Sequence, residues 1–249
     1  MNFYPCFIVP VYNHGATVGS TVSALAAHDL PIYLVDDGSD AATASVLDDL
    51  VAGVEQVRLV RRAVNGGKGA AVMSGMDAAF ADGLTHALQV DADGQHSLAD
   101  IPGFLDASRA DPEALICGVP AYDASVPKGR LYGRYATHVW VWIETLSFAI
   151  RDSMCGFRVY PLAPAHRLIN EARLGTRMDF DIEVLVRLFW RGVRIINRPT
   201  RVIYPEGGIS HFRLWRDNLR ISWMHTRLVF GMLVRLPVLL ARKIAGPRT

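Results

Sequence analysis

The sequence predicts an α/β fold in which a mostly parallel sheet is covered by helices on both faces. Two observations point there. Short apolar runs alternate with helical patterns through the first half of the chain, the βαβα rhythm of a parallel sheet. Each apolar run is then closed by Asn, Asp or Gly, residues that end strands and open turns. The 249 residues are 51% hydrophobic and 20% charged, a globular composition long enough to bury a sizeable core.

In chain order, strands are expected at 7–11, 32–36, 57–60, 86–90 and 114–119, and helices at 16–27, 41–52, 69–81 and 97–110. The polar loops that follow the first four strands are Asn13-His14-Gly15, Asp37-Gly38-Ser39-Asp40, Asn65-Gly66-Gly67 and Asp91-Ala92-Asp93-Gly94. Open parallel sheets bind ligands beyond the carboxyl ends of their strands, so these four loops should share one working edge. After residue 120 come a basic, glycine-containing loop, a long apolar helix over 135–150, a helix over 180–190, and a strand pair at 193–197 and 200–204. The chain has no internal repeat and no low-complexity segment.

The net charge of +2 argues against a surface built to coat nucleic acid. Its distribution is uneven: residues 211–249 carry eight Lys or Arg against Asp217 alone, a net +7, which leaves −5 for residues 1–210. The expected organisation follows this division, with a catalytic domain over 1–210 and a basic amphipathic segment over 211–249. Cys6, Cys117 and Cys155 are too widely spaced for a CxxC pair and odd in number, which fits a reducing cytosol. The first residues lack the basic start of a signal peptide, and Arg227 and Arg235 interrupt the longest apolar stretch. The expectation is a cytoplasmic protein peripheral to the membrane.

Asp91-Ala92-Asp93, at the end of an apolar strand, can converge two carboxylates on Mg²⁺ or Mn²⁺ while substrate phosphate oxygens complete the shell. A plain Asp/Gly turn reads the same way in isolation. Val35-Asp36-Asp37-Gly38-Ser39 closes another strand, where a carboxylate can accept from a base or a ribose hydroxyl, or simply form an Asx turn before a helix. Asn65-Gly66-Gly67-Lys68-Gly69 offers backbone amides and a cation at a helix start, a diphosphate contact in prospect. It is not a Walker A loop, because Arg62 stands where the first glycine belongs and Ala70 replaces Ser or Thr.

Six stretches taken together resemble the family 2 glycosyltransferases of GT-A fold, and within them the polyprenyl-phosphate sugar transferases. They are Ile8-Val-Pro-Val-Tyr-Asn13, Val35-Asp-Asp-Gly-Ser39, Asn65-Gly-Gly-Lys-Gly-Ala70, Val90-Asp-Ala-Asp-Gly-Gln-His96, Cys155-Gly-Phe-Arg158 and Phe180-Asp-Ile-Glu183. The resemblance implies a nucleotide-diphospho-sugar donor, a divalent metal and inversion at the anomeric carbon. It implies a nucleotide-sugar side made of Pro10, Tyr12, Asn13, Asp36, Asp37, Lys68, Asp91 and Ala92. Asp91, Asp93 and Gln95 match metal-binding positions, and His211 is a further candidate ligand in a segment that departs from the family pattern. Arg158 matches an element beside the acceptor, and Arg130 or Arg134 match its phosphate-binding arginines.

Charge develops on the departing diphosphate, so Asp93 with its metal and a nearby cation should act most strongly in the transition state. A lipid-phosphate acceptor is already anionic and needs positioning only. A hydroxyl acceptor would need a base, for which Asp181 is the candidate among Asp179, Asp181 and Glu183. Bulky apolar residues interspersed with Arg220, Arg227, Arg235, Arg242 and Lys243 suit a segment lying on an anionic membrane, which Pro237 should kink or split. The alternatives are a nucleotidyltransferase, whose glycine-rich basic loop is missing at Tyr12–Gly15, and a non-catalytic nucleotide-sugar binder, against which Asp91, Asp93 and Arg158 speak.

Overall fold

Five apolar runs become β1 (Pro5–Val11), β2 (Ile32–Asp36), β3 (Val57–Arg61), β4 (His86–Gln89) and β5 (Leu115–Ala121). Between them lie α1 (Gly15–Ala26), α2 (Ala41–Gly53), α3 (Lys68–Ala81) and α4 (Ile101–Ala110). Then follow α5 (Lys128–Thr145), β6 (Arg158–Pro161), α6 (Leu162–Glu171), α7 (Phe180–Trp190), β7 (Ile195–Arg201) and α8 (Leu214–Ala245). This architecture is that of a computed structural model, which describes residues 2–121, 128–202 and 214–245, with side chains for all but 128–132, 214 and 245.

Among the described residues the strands form one sheet in the order β3-β2-β1-β4-β6-β5-β7. β6 runs antiparallel to β4 and β5, and the other pairings are parallel. Strand order reverses between β1 and β4, which opens the crevice where such sheets take ligands. Side chains alternate between two cores: Cys6 and Ile8 of β1 pack with α3, α6 and α7, while Phe7, Val9 and Val11 pack with α1 and α4. β1, β2 and β5, inside the sheet, are buried on both faces and largely apolar, as expected for parallel strands, whereas the edge strands β3 and β7 are partly exposed and carry Arg58, Arg61, Arg198 and Arg201.

Four expectations are corrected. The helix expected over 135–150 ends at Thr145, because Leu146 adopts a left-handed φ of 51°. Of the strand pair expected at 193–197 and 200–204, the described residues form one strand over 195–201, paired along β5, and 203–204 lie outside them; Pro199 is tolerated because β7 is an edge. β6 and α6 were not foreseen, since β6 has four residues, too few to show a period.

The fourth concerns the chain's end. In α8, Ile221, Met224, Leu228, Met232 and Leu239 recur at helical spacing and join the same core as α3 and α7. The helix is not split at Pro237, which is exposed, so water can satisfy the carbonyl the proline frees. Buried polar contacts reinforce the packing, with His225 Nδ1 2.7 Å from Glu144 Oε1 of α5 and Arg227 donating to Glu183 of α7 at 3.1 Å.

Gly75 marks the tightest crossing of α3 over the sheet, where an added Cβ would lie 2.7 Å from Ile8 Cγ2 and 3.0 Å from Val35 Cγ2. Gly75→Val is expected to cost about 1–3 kcal/mol by overpacking, read as a lower midpoint of denaturant unfolding; an unchanged midpoint would show that α3 can lift without cost.

Candidate active site

The working edge is assembled from the ends of β1, β2 and β4, the start of α3, the turn before β6 and the start of α7. Asp91 leaves β4 just beyond Gln89, whose side chain is fully buried. Lys68, at the first position of α3, reaches inward and places its Nζ 2.8 Å from Asp91 Oδ2 and 3.1 Å from Asp181 Oδ2. Gln89 Nε2 donates to Asp181 Oδ1 at 3.3 Å, and the Tyr160 hydroxyl donates to Gln89 Oε1 at 3.3 Å. His96 Nε2 stands 3.5 Å from Asp91 Oδ2 while its ring stacks on Phe157.

These contacts use one oxygen of Asp91. The other, Oδ1, is buried and makes no hydrogen bond. Burial works against the charged form of Asp91, but Lys68 and then His96 hold the carboxyl well below the usual range. Asp93 goes the other way: burial and then the nearby Asp91 carboxylate raise it. Two acids pressed together with an open oxygen suit a cation. Among the described residues no three His, Cys, Asp or Glu side chains are gathered to hold a metal by themselves. One or two carboxylates suffice where a substrate diphosphate supplies the remaining ligands. The residues present therefore fit a divalent ion through Asp91 and Asp93.

Several expected contacts are spent within the protein. Asp37, 2% exposed, accepts from Gly66 N, Gly67 N and Arg62 Nε at 2.9, 2.7 and 2.8 Å. It braces the Asn65-Gly66-Gly67 loop rather than reaching a nucleoside, and it consumes the two amides expected to face a diphosphate. Asp36 is likewise inward, accepting from Ser39 N at 2.9 Å with Arg61 Nε at 3.5 Å. Lys68 Nζ pairs with the carboxylates of Asp91 and Asp181. Ala92 is buried and its carbonyl accepts from the Thr17 hydroxyl at 2.7 Å.

Arg158 is fully buried and donates to the backbone carbonyls of Asp181 and Ser153, so it organises the site from beneath instead of lining an acceptor pocket. Arg134 pairs bidentately with Asp152 at 2.6 and 2.7 Å. Asn13 bridges the first two loops through Ser39 and Asp40, and Pro10 and Tyr12 lie beside it, partly buried. Gln95 donates its backbone N–H to Asp93 at 3.0 Å. His211 and the side chain of Arg130 lie outside the described residues.

Three features escaped the sequence reading. Gly156 packs so closely that a Cβ there would sit 2.7 Å from Lys68 Nζ and 2.8 Å from Gln89 Nε2. Asp152 holds that turn in place by accepting from Met154 N and Cys155 N at 2.9 and 2.7 Å. Arg177 lies over the glycine loop and donates to Asn65 Oδ1 at 3.2 Å. Cys155-Gly-Phe-Arg158 flags the first, but nothing local in sequence ties Asp152 to Arg134 or Arg177 to Asn65.

The sheet and its acid-lined edge define a glycosyltransferase of GT-A fold. The family model for Glycosyl transferase family 2 matches residues 6–172, and the chain belongs to that family. It is similar to a polyprenol monophosphomannose synthase from Mycolicibacterium smegmatis, 25% identical over 86% of this chain and 82% of the relative. An undecaprenyl-phosphate mannosyltransferase from Micrococcus luteus is 24% identical over 82% of this chain and 85% of its own length. Among solved structures, a mannosyltransferase from Pyrobaculum calidifontis in complex with GDP-Man and Mn²⁺ superposes with a TM-score of 0.59 at 16% identity, covering 97% of this chain and 74% of that one.

Asp152 is held well below the usual carboxylate range: burial opposes its charge, but His138 and Arg134 outweigh that. Its stabilisation is therefore complete above about pH 4 and is lost as pH falls through the folded value. Asp152→Asn is expected to cost about 3–5 kcal/mol near neutral pH by leaving Arg134 without its partner. The gap to wild type, measured by denaturant unfolding across pH, should narrow in acid; a pH-independent gap would contradict the assignment.

Proposed function

We propose that this enzyme transfers a sugar from a nucleoside-diphosphate donor to a polyprenyl phosphate, inverting the anomeric carbon, with Mg²⁺ or Mn²⁺ held by Asp91 and Asp93. The observation that carries this reading is the open, buried Oδ1 of Asp91 beside the raised carboxyl of Asp93, at the crevice of a glycosyltransferase sheet. The named activities of the two relatives support the polyprenyl-phosphate acceptor, and the GDP-Man and Mn²⁺ of the structural neighbour support the donor class and the metal.

When bound, the ion would offset charge on the departing diphosphate. The chain's own residues prepare for that. Lys68 keeps Asp91 ionised and pairs with Asp181, Gln89 fixes Asp181 from the other side, and Arg158 fixes the Asp181 backbone. Both carboxylate oxygens of Asp181 already have protein partners, Lys68 and Gln89, which leaves it poorly placed to reach an acceptor hydroxyl and disfavours it as a base. A phosphate acceptor is already anionic and has no proton to give up. Arg177, partly exposed beside Asn65, and Arg130 are the arginines we assign to phosphate, with Gln95 and His211 as further ligands of the ion.

The acceptor's lipid tail calls for a membrane surface, and α8 with α5 provides one. Trp215, Trp223, Phe230 and Val234 of α8 are 64–82% exposed, and Val139, Trp140 and Ile143 of α5 and the nearby Phe148 add to them. Arg216, Arg220 and Arg235, all exposed, suit anionic headgroups. By length and composition the segment Trp215–Ile244 could also cross a bilayer, an 18-residue window within it having a mean hydropathy of 1.4, yet 28% of that window is buried in the fold. Arg227 and Arg242 further tie the helix to α7. These contacts favour a helix lying in the headgroup region, and we assign it to the cytoplasmic face.

Asp93→Ala is expected to lower transfer from GDP-mannose or a UDP-sugar to a polyprenyl phosphate by about 10²-fold or more while leaving the unfolding midpoint near wild type; retained transfer would remove the proposed metal role. The double variant Trp223→Glu, Phe230→Glu should lose at least about tenfold in binding to anionic vesicles, read by flotation, and undiminished binding would place the membrane contact elsewhere.

A further inference from the structure

Lys68 occupies a position that the transfer chemistry alone does not explain. Its ammonium lies 2.8 Å from Asp91 and 3.1 Å from Asp181, and its side chain is 19% exposed. Gly156 closes over it so tightly that even a methyl group there would touch Nζ. A fixed positive charge thus shares the carboxylate that is to receive a divalent cation.

From this arrangement we infer that Lys68 is an electrostatic restraint on the metal site, making metal binding by the free enzyme weak and dependent on the donor's diphosphate. The inference rests on the reading of Asp91 and Asp93 as the metal carboxylates. Without the diphosphate, an incoming dication meets an Asp91 already paired with a cation, and it is repelled by an ammonium held in place by its two carboxylate contacts. Like charges a few ångströms apart in a poorly hydrated site oppose each other by several-fold to many-fold in affinity. The diphosphate brings the negative charge that offsets this repulsion and supplies oxygen ligands. Lys68 also keeps the three acids of the free site from repelling the donor. Metal and donor would consequently enter together, which prevents the ion from being held idly or the sugar bond from being polarised before the site is filled.

The test is a titration of MnCl₂ followed by the electron paramagnetic resonance of free Mn²⁺, with the full chain alone and with GDP or UDP. Wild type is expected to bind Mn²⁺ at least about tenfold more tightly with one of the nucleotides than alone. Lys68→Gln should bind Mn²⁺ alone about tenfold more tightly than wild type and gain less from nucleotide, while Lys68→Arg, which keeps the charge, should stay near wild type. Unchanged or weaker Mn²⁺ binding by a folded Lys68→Gln overturns the restraint and leaves the metal site standing. Should that variant not fold, wild type decides alone, because equal affinity with and without nucleotide also overturns it. Failure of wild type to bind Mn²⁺ under any of these conditions removes the metal reading itself, and the restraint with it.

Discussion

The triad of Lys68, Asp91 and Asp181 is the interaction on which the rest of the structure converges. Three segments far apart in sequence, the start of α3, the end of β4 and the start of α7, meet through two ion-pair contacts of 2.8 and 3.1 Å. An ammonium enclosed by protein is tolerable only with such partners, and either carboxylate left alone there would be costly. Much of the surroundings serves to keep the triad in register. Arg158, itself enclosed, holds the backbone at Asp181, Gln89 steadies the Asp181 carboxylate, and the Asp152 turn delivers Gly156 against the lysine.

A second consequence is a division of labour among acids that look alike in sequence. Asp36, Asp37 and Asp152 each accept backbone N–H groups, and each fixes a loop. Asp93 also accepts a backbone N–H, from Gln95, whereas Oδ1 of Asp91 is buried with no partner and keeps capacity for a cation. The environment rather than the residue type separates the structural carboxylates from the chemical ones. The same holds for the basic residues, since Arg134 and Arg158 are consumed internally while Arg177 stays partly open beside the glycine loop.

The sheet and its working edge were legible because parallel strands are apolar on both faces and end in turn residues, so β1 to β5 stand out along the chain. β6 was hidden by its brevity, and β7 by Pro199, which reads as a break unless the strand is known to lie at an edge. Of the site, the acids at Asp91, Asp93 and Asp181 were visible through their motifs. The partners were not: a lysine at a helix start reads as a phosphate contact, and only the tertiary fold reveals two carboxylates within its reach. The C-terminal segment was visible as basic and amphipathic, yet its burial against α5 and α7 depends on residues more than 40 positions away, such as Glu144 and Glu183.

The account stands on a cation gripped by Asp91 and Asp93 at the diphosphate of a sugar donor. The most direct measurement is anomalous diffraction from crystals grown with Mn²⁺ and GDP or UDP. A manganese peak within coordination distance of both carboxylates and of a diphosphate oxygen is the predicted result. A bound nucleotide with no peak between those two side chains would contradict it.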